Sequence, residues 1–375
     1  GMPVIRTFGT EKYEEERFDK ANVKLTKTNL FVNRLMGIMM PSMMLVMNII
    51  SILIVWYGAK QIDIGTLQVG TLLAFITYTM QIIMSFLMIS LVSVMMPRAL
   101  VSLKRIKEIL KKEVSIVEPE NPVEFKENEK GVIEFKDVSF KYPDADEAML
   151  KNISFKATPG TTTAFIGSTG SGKSTLINLI PRFFDATSGE IYVDGVNIKD
   201  ASVVELRNRI GYVPQKGMLF SGTIKSNLML GNENLTESEM LDAARVSQSL
   251  EFINTKKDKF DSVISQGGTN VSGGQKQRLS IARAIAKNPE IYIFDDSFSA
   301  LDFKTDAALR KALFKHAKDA TVLIVAQRIS TIMNADNIIV LNEGEVVGSG
   351  THKELLKTCK IYKEIALSQL KEEEL

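Results

Sequence analysis

Eight consecutive residues near the middle of the chain have the types and spacing of a loop that holds phosphate groups. They are Gly167, Ser168, Thr169, Gly170, Ser171, Gly172, Lys173 and Ser174. An apolar run precedes them and a helix-forming run begins at Thr175, so the stretch predicts a strand, a glycine-rich loop and a helix. Backbone N–H groups would surround a nucleotide polyphosphate, Lys173 would neutralise its outer phosphates, and the hydroxyl of Ser174 would bind Mg²⁺. An ordinary glycine-rich turn is the alternative interpretation.

Two carboxylates end a second apolar run, at residues 291–296. In a nucleotide-binding sheet the first of them, Asp295, would hold Mg²⁺ through water, opposite Ser174. The second, Asp296, stands where a general base would polarise the water that attacks the terminal phosphate. The pair therefore adds a predicted metal ligand and a predicted catalytic group to the phosphate-binding loop.

Two further polar segments lie between the loop and the carboxylates. The first ends at Gln215, and the second is a tight turn made of Ser272, Gly273, Gly274 and Gln275. That turn opens a predicted helix over residues 276–286, and the N-terminus of a helix is a favourable place for an anion. One chain thus carries two predicted anion sites that are far apart in sequence.

The overall composition limits the class of protein. The 375 residues are enough for two or three domains, and the net charge of +2, with acids and bases interspersed, does not indicate nucleic-acid binding. Cys359 is the single cysteine, so no disulfide can form within the chain. His316 and His352 have no partner histidines or cysteines at metal spacing, and we predict surface positions for both.

Two long uncharged stretches, residues 36–57 and 66–97, lie in the first part of the chain. Each is long enough for a helix to cross a hydrocarbon core about 30 Å thick, and the short link between them predicts a hairpin. Lysine and arginine residues flank the pair on both sides, which predicts that both ends lie in the cytoplasm. Two buried helices of a soluble protein are the alternative.

A polar stripe lies within the second of these stretches. Thr77, Gln81 and Ser85 recur at four-residue spacing and so share one helix face. The stripe could line a substrate path, join neighbouring helices, or consist of hydroxyls bonded to their own backbone. The sequence leaves these three interpretations open.

Composition divides the chain at two places. Residues 1–112 hold a charged helix-forming stretch, the two uncharged stretches and a basic helix, and residues 113–130 form a linker rich in charge and proline. Residues 131–375 hold strand-like segments and the phosphate-binding loop. The C-terminal run 371–374 is predicted to be a solvated helix end.

In their order along the chain, these motifs resemble the ATP-binding cassette (ABC) transporters, in particular the exporters that place membrane helices ahead of the nucleotide domain. The resemblance covers nearly the whole chain. It implies an α/β P-loop nucleotide-binding domain with a helical subdomain, preceded by a partial all-α transmembrane domain of two membrane helices. It also implies ATP and Mg²⁺ as cofactors and a head-to-tail pair of nucleotide domains, in which the turn 272–275 of one domain caps the ATP held by the other.

The resemblance implies roles for residues whose types alone are ambiguous. Tyr142 matches the aromatic residue that stacks on adenine, although by itself such a tyrosine would more simply pack in a core. Gln215 matches the residue that contacts Mg²⁺ and relays its state to the membrane domain. The loop that couples the two sites of the dimer matches Ser299, Ala300, Leu301 and Asp302. Residues 7–17 match the coupling helix that docks on a partner's nucleotide domain.

Two positions depart from the family pattern. The usual catalytic glutamate is here Asp296, which is one methylene shorter, and a displacement of about 1 Å can cost on the order of a hundredfold in rate. The usual switch histidine is Gln327, whose amide can bond a γ-phosphate but cannot become cationic. Both changes weaken the same site, which predicts that this chain is the degenerate-site half of a heterodimer and completes the active site of its partner. An active homodimer that tolerates both changes is the alternative.

These expectations extend to partners and location. The partners would be a second ABC half-transporter subunit, membrane lipid and a small apolar or amphipathic transported substrate, with no nucleic acid. The protein would be a multi-pass protein of the plasma membrane, with its nucleotide-binding domain in the cytoplasm. Such exporters place six membrane helices before each nucleotide domain, so two predicted spans suggest a fragment of a half-transporter. The rival functions are a soluble cassette ATPase that acts on nucleic acid or ribosomes and a regulatory subunit that holds nucleotide.

Overall fold

The computed structural model describes residues 1–126 and 130–370, and the predicted helix end at 371–374 lies outside them. The described chain forms two compact units, Gly1–Glu113 and Val114–Leu375. The first unit consists of helices, and the second combines helices with β-sheets.

The first unit contains the helices α1 (Met2–Phe8), α2 (Glu11–Asp63) and α3 (Val69–Leu110). Gly9 ends α1 in the left-handed region, with a φ of 62°, and α2 begins two residues later at Glu11. No single helix therefore covers residues 7–17, because the glycine separates the end of one helix from the start of the next, and the coupling role of this region stays a prediction. Pro41 lies within α2 and does not end it.

Both α2 and α3 are long and apolar enough to cross a membrane. None of the residues in their most apolar windows is buried within the structure. A core helix of a soluble protein would be largely buried, so this exposure favours contact with lipid. In the polar stripe, Thr77 and Ser85 donate hydrogen bonds to the carbonyl oxygens of Leu73 (2.9 Å) and Gln81 (2.8 Å). Bonding to their own backbone thus accounts for both hydroxyls.

The helices α2 and α3 approach each other closely at Gly58, the buried residue of α2. A Cβ atom at this position would overlap Cδ1 of Leu72 on α3, so a larger residue would force this side chain to move. Residues 64–68 join the two helices. The predicted hairpin is therefore observed.

The described strands of the second unit form three sheets. The strands are β1 (Ile133–Phe140), β2 (Leu150–Ala157), β3 (Thr162–Gly167), β4 (Ser188–Val193), β5 (Val196–Asn197), β6 (Ile210–Val213), β7 (Gly222–Thr223), β8 (Val263–Ile264), β9 (Ile291–Asp295), β10 (Thr321–Val325), β11 (Asn337–Asn342) and β12 (Glu345–Gly350). The central sheet has the order β12-β11-β3-β10-β9-β6 and is parallel except for β12. An antiparallel sheet of order β2-β1-β4-β5 and the pair β7-β8 complete the set.

The described part of the second unit also contains a series of α-helices. They are α4 (Lys173–Leu179), α5 (Val203–Asn208), α6 (Ile224–Met229), α7 (Glu237–Val246), α8 (Leu250–Thr255), α9 (Gly273–Ala286), α10 (Phe303–His316), α11 (Ile329–Ile332), α12 (His352–Thr358) and α13 (Lys360–Leu367). Neighbouring residues of β3, Phe165 and Ile166, belong to different apolar clusters because successive strand side chains point to opposite faces. Residues of α6 to α9 share the cluster of Ile166, which gives the unit its helical part.

The stretch after Glu113, here called the connecting segment (residues 114–126), is bonded to the second unit. The guanidinium group of Arg182 donates a hydrogen bond to the carbonyl oxygen of Val117 at 3.3 Å, and the N–H of Val203 donates one to Oε1 of Glu118 at 3.1 Å. The N–H of Val123 donates one to the carbonyl oxygen of Asp200 at 2.8 Å. Phe125 is buried in the apolar cluster of the antiparallel sheet. Part of the predicted linker 113–130 thus packs against the rest of the second unit, through contacts between residues that are distant in sequence.

Candidate functional site

The phosphate-binding loop joins the C-terminal end of β3 to α4, within the parallel part of the central sheet. Two of its glycines stand where a larger residue would clash with neighbouring atoms or strain the backbone. A Cβ atom on Gly167 would overlap the carbonyl oxygen of Leu341. A Cβ atom on Gly172, where φ is 95°, would lie 2.7 Å from Cδ2 of Leu150. Open α/β sheets bind ligands at the carboxyl ends of their strands, so the loop occupies the expected edge.

The side chain of Lys173 folds back into the loop. Its ammonium group donates hydrogen bonds to the carbonyl oxygens of Gly167 (2.9 Å) and Ser168 (2.7 Å) and to Oγ of Ser171 (3.3 Å). Burial lowers the pKa of Lys173, and two nearby carboxylates oppose that shift. The loop thus holds a cation in a partly desolvated position, where its attraction for a phosphate oxygen is stronger than in water.

Two of the predicted magnesium ligands lie in contact. The hydroxyl of Ser174 donates a hydrogen bond to Oδ1 of Asp295 at 2.8 Å. Burial raises the pKa of Asp295, and the hydrogen bond from Ser174 opposes the rise. Hydroxyl and carboxylate oxygens are the ligands that Mg²⁺ prefers, so the residues present fit this ion. Gln215, the third predicted ligand, lines the same cavity.

Asp296 accepts two amide hydrogen bonds at the same carboxylate oxygen. Nε2 of Gln215 lies 3.2 Å from Oδ2 of Asp296, and Nε2 of Gln327 lies 2.9 Å from it. The carbonyl oxygen of Asp296 accepts a hydrogen bond from the hydroxyl of Ser299 at 2.8 Å. Burial raises the pKa of Asp296, and the hydrogen bond from Gln215 opposes that rise. The structure thus brings together the three residues that the sequence predicted to be catalytic.

A cavity of about 220 Å³ lies beside these groups. It is lined by Met149, Thr169, Gly170, Gly172, Lys173, Ser174, Thr175, Gln215, Asp295, Asp296, Val325 and Gln327. Met149 and Val325 are the lining residues that the sequence did not predict, since an apolar type carries no chemical signal. A larger cleft of about 610 Å³, beside α10, is lined by none of the predicted site residues, so size alone does not identify the site.

Tyr142 lies next to the helix that follows the loop. Its hydroxyl is 3.1 Å from Oγ1 of Thr175. Its ring meets the rings of Phe140 and Phe184 edge to face, with centroids 4.8 and 5.4 Å apart. This packing agrees with the simpler interpretation of a tyrosine in a core, and stacking on adenine stays a prediction.

The turn before α9 forms a capping box. Oγ of Ser272 accepts a hydrogen bond from the N–H of Gln275 (3.2 Å), and Oε1 of Gln275 accepts one from the N–H of Ser272 (3.1 Å). Ser272 and Gly273 are exposed, and a Cβ atom on Gly273 would meet no atom within 4 Å in the described chain. Residues 272–275 do not line the described cavity around Lys173. A single chain therefore leaves this second predicted anion site open to another molecule.

The loop after β9 is tied to both neighbouring elements. Ser299 bonds to Asp296, Leu301 is buried, and the carboxylate of Asp302 caps α10 by accepting a hydrogen bond from the N–H of Thr305 at 2.9 Å. These contacts place the loop beside Asp296. Its role in coupling two sites stays a prediction.

The prediction that both histidines lie at the surface is wrong for His352. This side chain is only 7% exposed, and its Nδ1 lies 2.7 Å from the hydroxyl of Tyr362. The partner is a tyrosine on the next helix, which no metal-type spacing in the sequence could reveal. Over residues 1–126 and 130–370, no group of three or more His, Cys, Asp and Glu side chains could hold a metal ion by themselves.

The fold and the site together define a P-loop nucleotide-binding domain preceded by long apolar helices. The family model of the ABC transporters matches residues 150–299, and the model of the ABC transporter transmembrane region matches residues 1–86. The chain therefore belongs to the ABC transporters, and the resemblance that its motifs indicated is confirmed.

Relatives of this chain match almost all of it. An uncharacterized ABC transporter ATP-binding protein of Mycobacterium bovis is 43% identical over 372 residues, which are 98% of this chain and 64% of the relative. The uncharacterized ABC transporter ATP-binding protein YfiB of Bacillus subtilis is 43% identical over 98% of this chain and 63% of its own length. A putative multidrug export ATP-binding/permease protein of Staphylococcus aureus is 38% identical over 95% of this chain and 61% of its own length. The chain thus spans less than two thirds of each.

A solved structure, that of a bacterial Atm1-family ABC exporter with ATP bound, has a similar fold. The TM-score is 0.83 at 29% sequence identity, and the match covers 99% of this chain and 65% of the exporter chain. The chain therefore has the fold of an ABC exporter. The predicted fold class, an α/β nucleotide-binding domain with a helical part after a partial helical membrane domain, is confirmed.

Proposed function

We propose that this chain is a subunit of an ATP-driven membrane exporter, and that its own nucleotide site binds ATP and Mg²⁺ but turns ATP over slowly. The observation that carries this proposal is the contact of Asp296 with two neutral amides, those of Gln215 and Gln327. A general base must come within about 2.6 to 3.2 Å of its proton, and the short carboxylate of Asp296 is already held by donors of its own domain. The amide of Gln327 also brings no positive charge to the terminal phosphate in the transition state.

The groups that bind nucleotide surround this weakened centre. Lys173 is held inside the loop, and Ser174 with Asp295 offers oxygen ligands to Mg²⁺. Lys173, Ser174 and Asp295 are separate from the two altered groups, Asp296 and Gln327, so a weakened catalytic centre leaves these binding groups in place. The site would consequently retain ATP for much longer than a site that contains both usual catalytic groups.

The exposed turn 272–275 supports the second part of the proposal. In the head-to-tail pairing expected for the family, this turn would cap the ATP bound by another subunit. We therefore infer a heterodimer, in which the partner supplies an intact base and switch residue and this chain supplies the turn. An active homodimer is the competing arrangement.

The proposed substrate is a small apolar or amphipathic molecule. Methionines are frequent among the exposed side chains of α2 and α3, and their flexible thioethers adapt to varied apolar ligands, although contact with lipid alone also explains them. The similar protein of Staphylococcus aureus is named for multidrug export. We place the subunit in the plasma membrane, with the nucleotide unit in the cytoplasm, because basic residues flank the apolar helices on both sides.

ATPase measurements on the full-length protein test the slow site. The protein is purified alone and with the product of a neighbouring exporter gene, and the wild type is compared with Asp296→Glu plus Gln327→His. We expect little turnover from the wild type alone, robust turnover with the partner, and a gain of about tenfold or more in the double variant, which restores a longer base and an ionisable switch residue. Asp319→Glu is the matched control for Asp296→Glu, because it makes the same change at a side chain that is 88% exposed, and it should leave turnover unchanged.

Robust ATPase activity of the wild-type protein alone would contradict the slow site and favour the active homodimer. Partitioning of the expressed protein tests its class separately. Recovery in the membrane or detergent fraction is expected for an exporter subunit, whereas recovery in the aqueous fraction would favour the soluble cassette ATPase.

A further inference from the structure

The loop that carries Gln327 is held from one side by Gln369, which follows α13. Oε1 of Gln369 accepts a hydrogen bond from the N–H of Ile329 at 2.8 Å, and Nε2 of Gln369 donates one to the carbonyl oxygen of Gln327 at 2.7 Å. One amide side chain thus pairs with two backbone groups, as a neighbouring strand would. Residues 327–329 are here called the switch loop.

On its other side, the switch loop reaches the nucleotide site. Gln327 donates to Asp296 at 2.9 Å. The guanidinium group of Arg328 lies 3.5 Å from the carbonyl oxygen of Ser299 and 5.3 Å from the ring centroid of Phe303. The backbone position of the switch loop therefore decides whether both side chains can reach the groups around Asp296.

Gln369 is itself held in place by the packing of the helix before it. Tyr362 and Ala366 of α13 are buried. The backbone N–H groups of Gln369 and Leu370 donate to the carbonyl oxygen of Ala366, at 3.0 and 2.9 Å. Leu370 also packs against the apolar cluster that contains Ile329. The two amide hydrogen bonds therefore come from an ordered residue, so they can restrict the conformations of the loop.

We propose that Gln369 is a positioning residue for the nucleotide site, and that it holds the switch loop so that the amide of Gln327 faces Asp296 and the place of the terminal phosphate of ATP. This proposal rests on ATP binding in the proposed function, and it is independent of slow hydrolysis and of the heterodimer. The expected effect of Gln369 on nucleotide affinity is selective for ATP, because ADP lacks the terminal phosphate that Gln327 would face. Gln369 should therefore affect the affinity for ATP and leave the affinity for ADP unchanged.

Equilibrium binding of ATP and ADP with Mg²⁺ to the full chain in detergent tests this proposal, with displacement of a fluorescent trinitrophenyl nucleotide as the readout. For Gln369→Ala we expect ATP to bind about fivefold to tenfold more weakly, as for the loss of one ordinary hydrogen bond, and ADP to stay within about twofold of wild type. In a Gln327→Ala background the same change should have no further effect on ATP, because the loop then presents no amide to position.

A second variant keeps the proposal testable if Gln369→Ala folds poorly. Gln369→Glu keeps the acceptor for the N–H of Ile329 and loses the donor to Gln327, and we expect it to show the same ATP-selective loss. Ser368→Ala is the matched control, because Ser368 is the residue before Gln369 and its hydroxyl donates to the carbonyl oxygen of Ile365 in α13, at 2.7 Å, and not to the switch loop.

Three results would each overturn the positioning role. They are unchanged ATP binding in the Gln369 variants, equal weakening of ATP and ADP, and a full effect of Gln369→Ala in the Gln327→Ala background. Failure of the slow-site proposal would give a different result. The wild type would then turn ATP over quickly, while the Gln369 variants would still lose affinity for ATP and keep their affinity for ADP.

Discussion

Asp194 is a fully buried carboxylate outside the nucleotide site, in the turn between β4 and β5. Its Oδ1 accepts a hydrogen bond from the N–H of Val132 at 2.9 Å, and its Oδ2 accepts one from Arg209 at 3.1 Å. Arg209 is shared with Glu290, which lies 2.7 Å away. Burial raises the pKa of Asp194 to about 6, and the hydrogen bond from Val132 and the charge of Arg209 oppose the rise.

This shift predicts how the stability of the second unit depends on pH. Because the pKa of Asp194 is higher in the folded than in the unfolded state, its contribution to stability is complete below about pH 4 and is lost as the pH rises through about 6. Asp194→Asn removes the ionisation, so its melting temperature relative to wild type should improve between about pH 4 and pH 7. Melts of the full chain in detergent measure this, with Asp319→Asn as the exposed control. A constant difference over that range would contradict the raised pKa.

The groups around Asp296 show which parts of a site residue types can predict. Lys173, Ser174 and Thr175 lie where the motif predicted, because one strand, loop and helix fix neighbours that are close in sequence. The sharing of one oxygen of Asp296 by two amides could not be predicted, since three separate loops supply these side chains. No sequence pattern indicated a role for Gln369, because its hydrogen-bond partners are backbone groups, which every residue has.

At the scale of elements, the close approach at Gly58 should hold the helix hairpin together. Gly58→Val would place a branched side chain where Leu72 packs, so we expect α2 and α3 to separate there. Trp56, the single tryptophan, lies two residues away with the ammonium of Lys60 4.0 Å from its ring centroid, and it reports the change. Acrylamide should quench its fluorescence more in Gly58→Val than in wild type.

Gly37→Val is the matched control for the hairpin. It makes the same change within α2, at a position where a Cβ atom would meet no atom of the described chain within 4 Å. We expect its quenching to resemble that of wild type. Equal quenching in the two variants would show that the contact with Leu72 does not hold the helices together.

The bounds of elements were harder to predict than their existence. Long uncharged runs indicated α2 and α3, but the place where a helix begins depended on the backbone of Gly9, which ends α1 inside the predicted coupling helix. The connecting segment was predicted to be a linker from its charge and proline content. Composition could not show that its carbonyl at Val117 and its carboxylate at Glu118 find partners on the nucleotide unit.

At the scale of the whole molecule, the two anion sites of one chain should contribute unequally to hydrolysis by the proposed pair. Gly273→Asp would put a carboxylate on the exposed turn without an internal clash, close to the expected position of the partner's ATP. We expect it to lower the ATPase rate of the co-purified pair by about a hundredfold, because it adds negative charge beside a phosphoryl group. Lys173→Ala should lower that rate by at most about threefold, since it affects the slow site.

ATPase assays of the pair, with one variant of this chain at a time, measure this asymmetry. Nucleotide binding by each variant chain alone serves as the control: Gly273→Asp should bind ATP as the wild type does, and Lys173→Ala should not. Similar losses of rate in the two variants would contradict the heterodimer with one slow site.

The amides that face Asp296 also determine how the site responds to the acidity of the cell. An imidazole near its usual pKa of about 6.5 changes its charge when the cytosol acidifies, whereas an amide keeps the same two donors. The contact of 2.9 Å between Gln327 and Asp296 therefore has the same donor in a resting and in an acid-stressed cell. In the proposed pair, this half would keep its donor unchanged while a histidine in the other half gained a proton.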